Sequence, residues 1–442
     1  MRTLLLIDTH YSIERKNSLA SFLQSGRPDS ARGNRLTRHL MTGSTYYNVE
    51  KAVAWRSGGS TQAEARVYNE RLILSLIRLH GQLSKVELTR LTGLSPQTIT
   101  SIVDLAATNQ LLVRGNPRRG GLGQPSVPYA LNPAGAWALG LAFDADGCNL
   151  VLSNFIGEVV ELIHLPVSPL MPMVVVEAVA DEVRTLLGRH PHITVARMAG
   201  LGIASPFHGE SWPARLGLTR DQADAWNQVD LRAELDARFD WPVYLLAEAL
   251  VAAGAELTFG AGLGRPDFLY IHIGMWISCG LVLDHHLYLG RNKQAGMVDV
   301  GTVALNGTDS PAENLNGIAS LNALSARTGA GTDILLHADP TLLLQPEIAA
   351  WIDDASRAVA GFAWQMVNLL DIDNIIVGGD ISQTARKALA RSLRRDLSQA
   401  ATARMEPLTI LDGRFGPLAF ALGGASIPLL VRFGRDKDLL FK

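Results

Sequence analysis

Between residues 66 and 103, apolar side chains recur at the spacing of amphipathic helices. The stripe over residues 66–80 predicts a first helix, which Gly81 can end as a C-terminal cap. Ser84 and Glu87 have the spacing of a capping box, in which each side chain satisfies a backbone N–H of the other residue. The pattern therefore predicts a second helix directly after the first.

A third helix is predicted after the turn Gly93–Ser95. Ser95 can cap it, and Pro96 loses nothing at the first helical position, because an N–H there would have no partner. The inward positions of this helix are apolar, whereas the outward side chains near its start are short and polar. In a helix-turn-helix, such side chains meet base edges in the major groove of DNA. The candidate DNA contacts of this helix are Ser95, Gln97, Thr98, Thr100 and Ser101.

Two short strands follow, over residues 111–114 and 128–131, and the loop between them has almost no apolar side chain. Such a loop cannot pack, and it suits a mobile wing that lies along a phosphate backbone or reaches a minor groove. The basic candidates in this region are Arg114, Arg118 and Arg119. We interpret residues 65–131 as a winged helix-turn-helix. The alternatives are an ordinary helical hairpin with a surface loop, and a helix-turn-helix that serves contacts between proteins.

Beyond residue 135 the pattern changes to alternating strands and helices. Three consecutive strands followed by helix and strand in alternation are predicted from Trp137 onward, and again from Phe268 onward. This repetition predicts an α/β domain of two similar lobes, about 135–260 and 267–442, with a cleft between them.

The charged residues are distributed unevenly. Residues 1–60 carry nine Lys/Arg against four Asp/Glu, residues 61–131 carry eight against four, and the remaining 311 carry 23 against 34. A basic N-terminal part followed by an acidic remainder fits a nucleic-acid-binding module joined to a domain with a different function. Residues 1–64 show no sustained period, and we expect a disordered basic leader there.

Composition limits the remaining classes. A chain of 442 residues with 47% hydrophobic residues is long enough for two or three globular domains. Cys148 and Cys279 are far apart in sequence and cannot form a disulfide framework or a multi-thiolate zinc site. No run approaches the roughly 20 apolar residues of a membrane span, and Met1–Ile7 is too short for a signal peptide. We therefore expect a cytoplasmic protein that does not contact a membrane.

The chain resembles the ROK family of repressors, open reading frames and sugar kinases, and within it the transcription-factor branch. The resemblance covers about residues 65–440 and rests on six motifs: 69–71 (NER), 93–100 (GLSPQTIT), 123–125 (GQP), 200–204 (GLGIA), 226–231 (WNQVDL) and 375–380 (IIVGGD). It implies a winged helix-turn-helix followed by a two-lobed, actin-like (ribonuclease H-like) domain over 135–442. It also implies a double-stranded DNA operator, a sugar-like effector in the cleft, and a homodimer or dimer of dimers.

Two departures from the family concern catalysis. Ala247 and Glu248 stand where the resemblance places the Asn-Asp pair of the kinases, whose Asp is the base toward the sugar hydroxyl. A Glu is one methylene longer, and general-base catalysis depends on close placement. Gly274 opens the segment that resembles the phosphate loop, but Met275 and Trp276 fill space that phosphate oxygens need near backbone N–H groups.

Further departures concern sugar and zinc. The resemblance places Met297 at the position of a Glu that holds sugar hydroxyls, and Val300 at that of a His that binds zinc. The family's cysteine cluster is also missing, and without those thiolates tetrahedral zinc cannot be held. We expect no catalytic residue, no metal and no cofactor. Candidate ligand contacts in a degenerate cleft are Ala247, Glu248, Gly274, Trp276 and Met297.

Two other functions remain open. One is a sugar kinase with an accessory N-terminal domain; the other is a regulator without an effector, whose lobes serve only dimerisation. His285 and His286 are interpreted as a hairpin turn, because adjacent strand residues point to opposite faces. Asp380 is interpreted as part of a structural turn after a strand. Core packing is favoured over sugar stacking for three tryptophans: Trp212, Trp226 and Trp276.

Overall fold

The computed structural model describes residues 61–118, 126–144, 146–206, 212–293, 295–296, 302–303, 313–400 and 407–435. The predicted leader therefore falls outside the described residues up to residue 60, as does the central part of the predicted wing loop.

The N-terminal module, residues 61–118 and 126–131, contains three helices and three strands. In chain order these are α1 (Gln62–His80), β1 (Gln82–Ser84), α2 (Lys85–Thr92), α3 (Pro96–Thr108), β2 (Leu112–Arg114) and β3 (Pro128–Leu131). The strands form one antiparallel sheet in the order β1-β3-β2. The three helices lie where the apolar stripes predict them, although α1 begins slightly earlier, after a capping box formed by Thr61 and Glu64.

Short polar side chains fix the ends of α2 and α3. The Ser84 N–H donates to Glu87 Oε2 over 2.7 Å, and the Glu87 N–H donates to Ser84 Oγ over 3.3 Å. Ser95 Oγ accepts from the Thr98 N–H at 3.2 Å, with Pro96 at the first helical position. Gly93 between the two helices has a φ of 70°, a left-handed conformation that favours glycine. The predicted caps and turn are confirmed.

Five strands form the first large sheet. They are β4 (Trp137–Asp144), β5 (Gly147–Asn154), β6 (Val159–Pro166), β7 (Met198–Ser205) and β8 (Val243–Ala247), in the order β6-β5-β4-β7-β8. The first three are antiparallel, and β4, β7 and β8 run parallel. The accompanying helices are α4 (Pro172–Arg189), α5 (Trp212–Arg215), α6 (Arg220–Asn227), α7 (Leu231–Asp236) and α8 (Glu248–Phe259).

The second large sheet repeats this arrangement. Its strands are β9 (Phe268–Ile273), β10 (Ile277–Leu283), β11 (His286–Leu287), β14 (Asn374–Gly379) and β15 (Thr409–Asp412), in the order β11-β10-β9-β14-β15. A two-stranded ribbon and five helices complete it: β12 (Thr302–Val303), β13 (Glu313–Asn314), α9 (Leu315–Ala319), α10 (Leu321–Thr328), α11 (Pro346–Leu370), α12 (Gln383–Ala400) and α13 (Ala419–Phe433). Because both sheets have the same strand order and directions, the predicted repetition is confirmed.

Helix α13 departs from the predicted lobe boundaries. It falls within the expected second lobe, 267–442, but it packs on β4 and β7 of the first sheet and on α8. Glycines make this approach possible: a Cβ at Gly140 would lie 1.9 Å from the Ala421 carbonyl oxygen, and one at Gly202 would lie 2.0 Å from that of Gly424. The backbones therefore touch where side chains would normally separate them.

The segment Gly416–Phe433, which includes α13, is the one stretch among the described residues that is long and apolar enough to cross a membrane. However, 67% of it is buried inside the protein. This burial is typical of a helix that forms part of a hydrophobic core.

The contact between Gly202 and α13 can be tested by substitution. We expect Gly202→Ala to lower the free energy of unfolding by about 1–3 kcal/mol, because the added methyl overlaps the Gly424 carbonyl. Gly361→Ala is the matched control, since Gly361 is exposed on α11 and an added methyl would meet nothing within 4 Å. That change should raise stability by about 0.5–1 kcal/mol through helix propensity. Urea unfolding measures both; equal effects of the two changes would contradict the packing described.

Candidate nucleic-acid interface and ligand cleft

Helix α3 presents a polar face to solvent. Gln97, Thr100 and Ser101 are exposed on it, as predicted from the sequence. Thr98 is half-buried, and its Oγ1 lies 2.9 Å from Ser95 Oγ. Ser95 and Thr98 therefore take part in capping the helix, whereas the side chains of Gln97, Thr100 and Ser101 extend into the solvent.

An ion pair lies on the next turn of the same face. Asp104 is exposed there, and its Oδ1 accepts from Lys85 Nζ at 2.7 Å. A carboxylate on this face would repel the phosphates of a nucleic acid, and the neighbouring ammonium offsets that charge. Sequence reasoning missed this pair, because Lys85 belongs to α2 and the two residues approach only through the packing of α2 on α3.

The hairpin of β2 and β3 carries the predicted basic residues. Arg114 is exposed, and its Nε donates to the hydroxyl of Tyr129 over 3.2 Å, which raises the pKa of Arg114. Arg118 extends the hairpin through backbone hydrogen bonds of 2.9 and 3.2 Å with Ser126, and its side chain is exposed. Arg119 lies outside the described residues.

One hydrophobic cluster joins the N-terminal module to the first sheet and to the ends of α8 and α13. It includes Ile77 of α1 together with Phe155, Phe259 and Phe433 from the rest of the chain. The guanidinium of Arg78 lies 5.1 Å from the ring centre of Phe155 and 5.0 Å from that of Phe259, in cation–π contact with both. Its Nη1 donates to the Phe155 carbonyl over 2.9 Å, and burial lowers the pKa of Arg78 to about 10.

A cleft lies at the carboxyl ends of the parallel strands of both sheets. Ligand sites of α/β proteins commonly lie at this end of the strands. The cavity has a volume of about 430 Å³. Residues that end or directly follow five strands line it: Asp144, Pro206, Glu248, Gly274 and Asp380.

A buried ion pair lies on the first-sheet side of the cleft. Glu248 is only 7% exposed, and its Oε2 accepts from Arg215 Nη2 at 2.5 Å. Burial raises the pKa of Glu248, although the charges of Arg215 and His272 act in the opposite direction. The carboxylate that follows β8 is thus held by an arginine of the same side.

A histidine of the second sheet lines the same cleft as Glu248. His272 is buried, its Nε2 lies 3.2 Å from Asp380 Oδ2, and its Nδ1 lies 3.1 Å from the Tyr270 hydroxyl. The imidazole also stacks on Phe420 of α13 at 4.3 Å. Gly274 leaves room for this arrangement, because a Cβ there would lie 2.7 Å from Asp380 Oδ2. Arginine, carboxylates and an imidazole around one cavity can hydrogen-bond a polar ligand rich in hydroxyl groups.

The candidate ligand contacts are only partly brought together. Glu248, Gly274 and Trp276 line the cleft. Ala247, the last residue of β8, lines a different cavity, beside β11 and α13. Met297 lies outside the described residues.

Sequence reasoning missed Arg215 and His272 and treated Asp380 as a structural turn. These three residues come from distant parts of the chain, and only the turn at residues 378–380 gave a local signal. The other tryptophans are core residues: Trp212 and Trp226 are buried, as favoured. The histidine pair lies at the β10–β11 hairpin, where His285 has a φ of 64°, as interpreted.

Comparisons with known proteins place these features in a family context. The ROK family model matches residues 164–427. The xylose repressor of Bacillus spizizenii is 23% identical over 246 residues, which cover 56% of this chain and 63% of the repressor. The chain thus spans less than two thirds of that relative's length.

Two solved structures have a similar fold. A ROK family transcriptional regulator, a homolog of the E. coli Mlc protein, superposes with a TM-score of 0.60 at 17% identity, covering 86% of this chain and 98% of its own. A ROK hexokinase from Thermus thermophilus gives a TM-score of 0.51 at 21% identity, covering 65% of this chain and 97% of its own.

The raised pKa of Glu248 generates a prediction about pH. A carboxyl whose folded-state pKa is raised contributes most to stability below its unfolded pKa, and that contribution is lost as pH rises through the folded pKa. The free energy of unfolding of the native protein minus that of Glu248→Gln should therefore fall between pH 4 and 8, by at most about 1.4 kcal/mol per pH unit. Chemical unfolding of both proteins across this range measures the difference.

Glu347→Gln is the control for loss of a carboxylate, since Glu347 is exposed at the start of α11. A difference that rises with pH for Glu248→Gln would contradict the assignment. It would mean that attraction to Arg215 outweighs the burial of the carboxylate.

Proposed function

Because the chain belongs to the ROK family, we propose that it is a transcriptional regulator that binds double-stranded DNA and acts as a repressor. The observation that carries the proposal is the exposed polar face of α3 beside an arginine-bearing hairpin, in a module that precedes the ROK domain. Residues 65–131 would form a winged helix-turn-helix and residues 135–442 a two-lobed domain, with residues 1–64 as a basic leader. We place the protein in the cytoplasm.

In this proposal α3 is the recognition helix. The amide of Gln97 can donate to and accept from an adenine edge in the major groove, and Thr100 and Ser101 can contact neighbouring bases. The capped hydroxyls of Ser95 and Thr98 orient the start of the helix. Arg114, Arg118 and Arg119 would contact phosphates, which supply affinity without sequence information.

A homodimer fits this mode of recognition, because paired helices read two half-sites about 34–36 Å apart. A dimer of dimers would allow the protein to bind two such sites at once.

The cleft supports a binding function better than phosphoryl transfer. Glu248, which follows β8, is engaged by Arg215, so it is not available as a free base toward a hydroxyl. Its neighbour Ala247 faces another cavity and cannot supply the sugar contact of an asparagine. We propose that the protein is not an enzyme and needs no metal or cofactor.

A sugar-like effector is the proposed ligand of the cleft. Glu248, Gly274 and Trp276, with the newly identified Arg215, His272 and Asp380, would contact it. An effector that prefers one arrangement of the two sheets would shift the population of that arrangement, and with it the placement of the paired recognition helices. A regulator that lacks an effector is the alternative.

The substitution Gln97→Ala tests whether the exposed polar face of α3 contacts DNA bases. This change should weaken binding to the operator by about 1–3 kcal/mol, because a base contact is lost, and should leave binding to random DNA unchanged. Fluorescence anisotropy with both DNAs measures it. Equal losses on operator and random DNA would place the contacts on another face of the helix.

A substitution in the proposed wing should affect DNA binding differently from one in α3. Arg118→Ala should weaken binding to every sequence and reduce the slope of log affinity against log salt by about one. Arg391→Ala serves as a control, because Arg391 is an exposed arginine on α12, outside the N-terminal module. An unchanged salt slope in Arg118→Ala would remove this residue from the interface.

A sugar kinase is the second candidate function. The fold shared with the hexokinase structure and the carboxylates in the cleft are the observations in its support. We expect no ADP release above the sugar-free rate when the protein is incubated with ATP and a panel of hexoses, amino sugars and D-xylose. Turnover at about 1 s⁻¹ or faster, an ordinary enzymatic rate, would contradict the regulator-only proposal.

A further inference from the structure

A second cavity lies outside the cleft, beside the edge strands of both sheets. It occupies about 160 Å³ where β8 and β11 come next to α13. Its apolar wall includes five large side chains close to α13: Leu246, Leu250, Leu287, Ile427 and Leu430. Three of them, Leu246, Leu287 and Leu430, stay partly exposed. An apolar group placed there would remove from water apolar surface that the described residues leave partly exposed.

The polar part of the lining has one sign of charge. Besides Tyr244, which is uncharged, the described lining has five basic residues: Arg71, His285, His286, Lys293 and Arg435. No Asp or Glu occurs among the described residues that line the cavity. The carboxylates that act on His285, those of Asp284 and Asp267, belong to residues outside this lining.

The hydrogen bonding of one of these cations, Arg435, is incomplete among the described residues. The Nε–H of Arg435 is buried and has no hydrogen-bond partner in the part of the chain that the structure describes. Buried donors are usually paired, and an unpaired one costs free energy that a ligand oxygen can recover. The N–H therefore marks a place where an acceptor fits.

The protonation of the neighbouring groups points the same way. Burial, followed by the charge of Arg435, lowers the pKa of His285, and burial lowers the pKa of Lys293. Burial alone lowers the pKa of Lys293, whereas the positive charge of Arg435 adds to burial at His285 and is a charge that a bound anion would offset.

We propose that this cavity binds a small carboxylate with an apolar body, whose chain or ring packs on the leucines and whose carboxylate meets the basic side chains. The size of the cavity favours a fatty-acid-like or aromatic acid over a nucleotide or a peptide. Because Arg71 belongs to α1, the ligand would contact the N-terminal module as well as both sheets. This site goes beyond the proposed function, and its test does not depend on DNA binding.

Isothermal titration calorimetry of the full chain tests the proposal with octanoate and 1-octanol as matched probes. Octanoate should bind saturably with one site per chain, and 1-octanol should bind at least about tenfold more weakly, because it lacks the charge that the arginine and lysine pair with. Arg435→Met and, separately, Lys293→Met should each weaken octanoate binding by at least about tenfold. Thermal melts check that each variant is folded.

Two further variants locate the ligand. Arg391→Met removes an exposed arginine on α12 and should leave octanoate binding unchanged. Arg215→Met removes the arginine of the cleft and should also leave it unchanged. The proposal is overturned if octanoate fails to saturate, if 1-octanol binds equally well, or if binding is unchanged in both Arg435→Met and Lys293→Met; loss of binding in Arg215→Met would place the ligand in the cleft instead.

Discussion

The half-buried Arg78 guanidinium, which lies against two phenylalanine rings, is a central contact between the N-terminal module and the rest of the chain. A guanidinium is costly to remove from water, and here the rings of Phe155 and Phe259 and a backbone carbonyl replace the water. The N-terminal module is therefore packed on the following α/β domain through a shared hydrophobic core rather than attached by a free linker. A rigid junction of this kind is needed if a conformational change in the α/β domain is to change the orientation of α3.

Helix α13 extends this connection to the cleft. Near its start, Phe420 stacks on His272 within the cleft, and at its end Phe433 packs on Phe155 at 4.7 Å in the junction with the N-terminal module. Between these ends, glycines bring its backbone against the first sheet. One helix thus contacts both the cleft and the junction with the N-terminal module, and an interior packed this closely shifts as a unit. This geometry would give the proposed effector a physical route to the N-terminal module without any chemical step in the cleft.

Local signals in the sequence were sufficient for the three N-terminal helices, for strands β2 and β3 and for the repeated sheets, whereas β1 was not predicted. The pairs Ser84–Glu87 and Ser95–Pro96 act within four residues of each other, so their geometry follows from chain connectivity alone. The strand pattern after Trp137 recurs after Phe268 and needs no long-range information to be recognised. The detailed geometry of the cleft was less accessible, because it depends on contacts between distant segments.

Three features illustrate this limit. The Arg215–Glu248 pair and the His272–Asp380 contact join residues that no spacing rule connects. Ala247 and Glu248 are adjacent in sequence but line different cavities, since the backbone changes from strand to helix between them. The final helix belongs with the first sheet because of glycines at positions 140 and 202, whose role appears only when the backbones meet.

Selection of genomic DNA fragments by the purified full chain, followed by affinity measurements at about 150 mM salt, is the decisive experiment for sequence-specific DNA binding. We expect a small set of fragments to share a two-fold symmetric site with half-sites one helical turn apart. These fragments should bind at least about 10³-fold more tightly than random DNA. Fragments without a common sequence, or no binding to any double-stranded DNA even at low salt, would contradict a role as a transcriptional regulator.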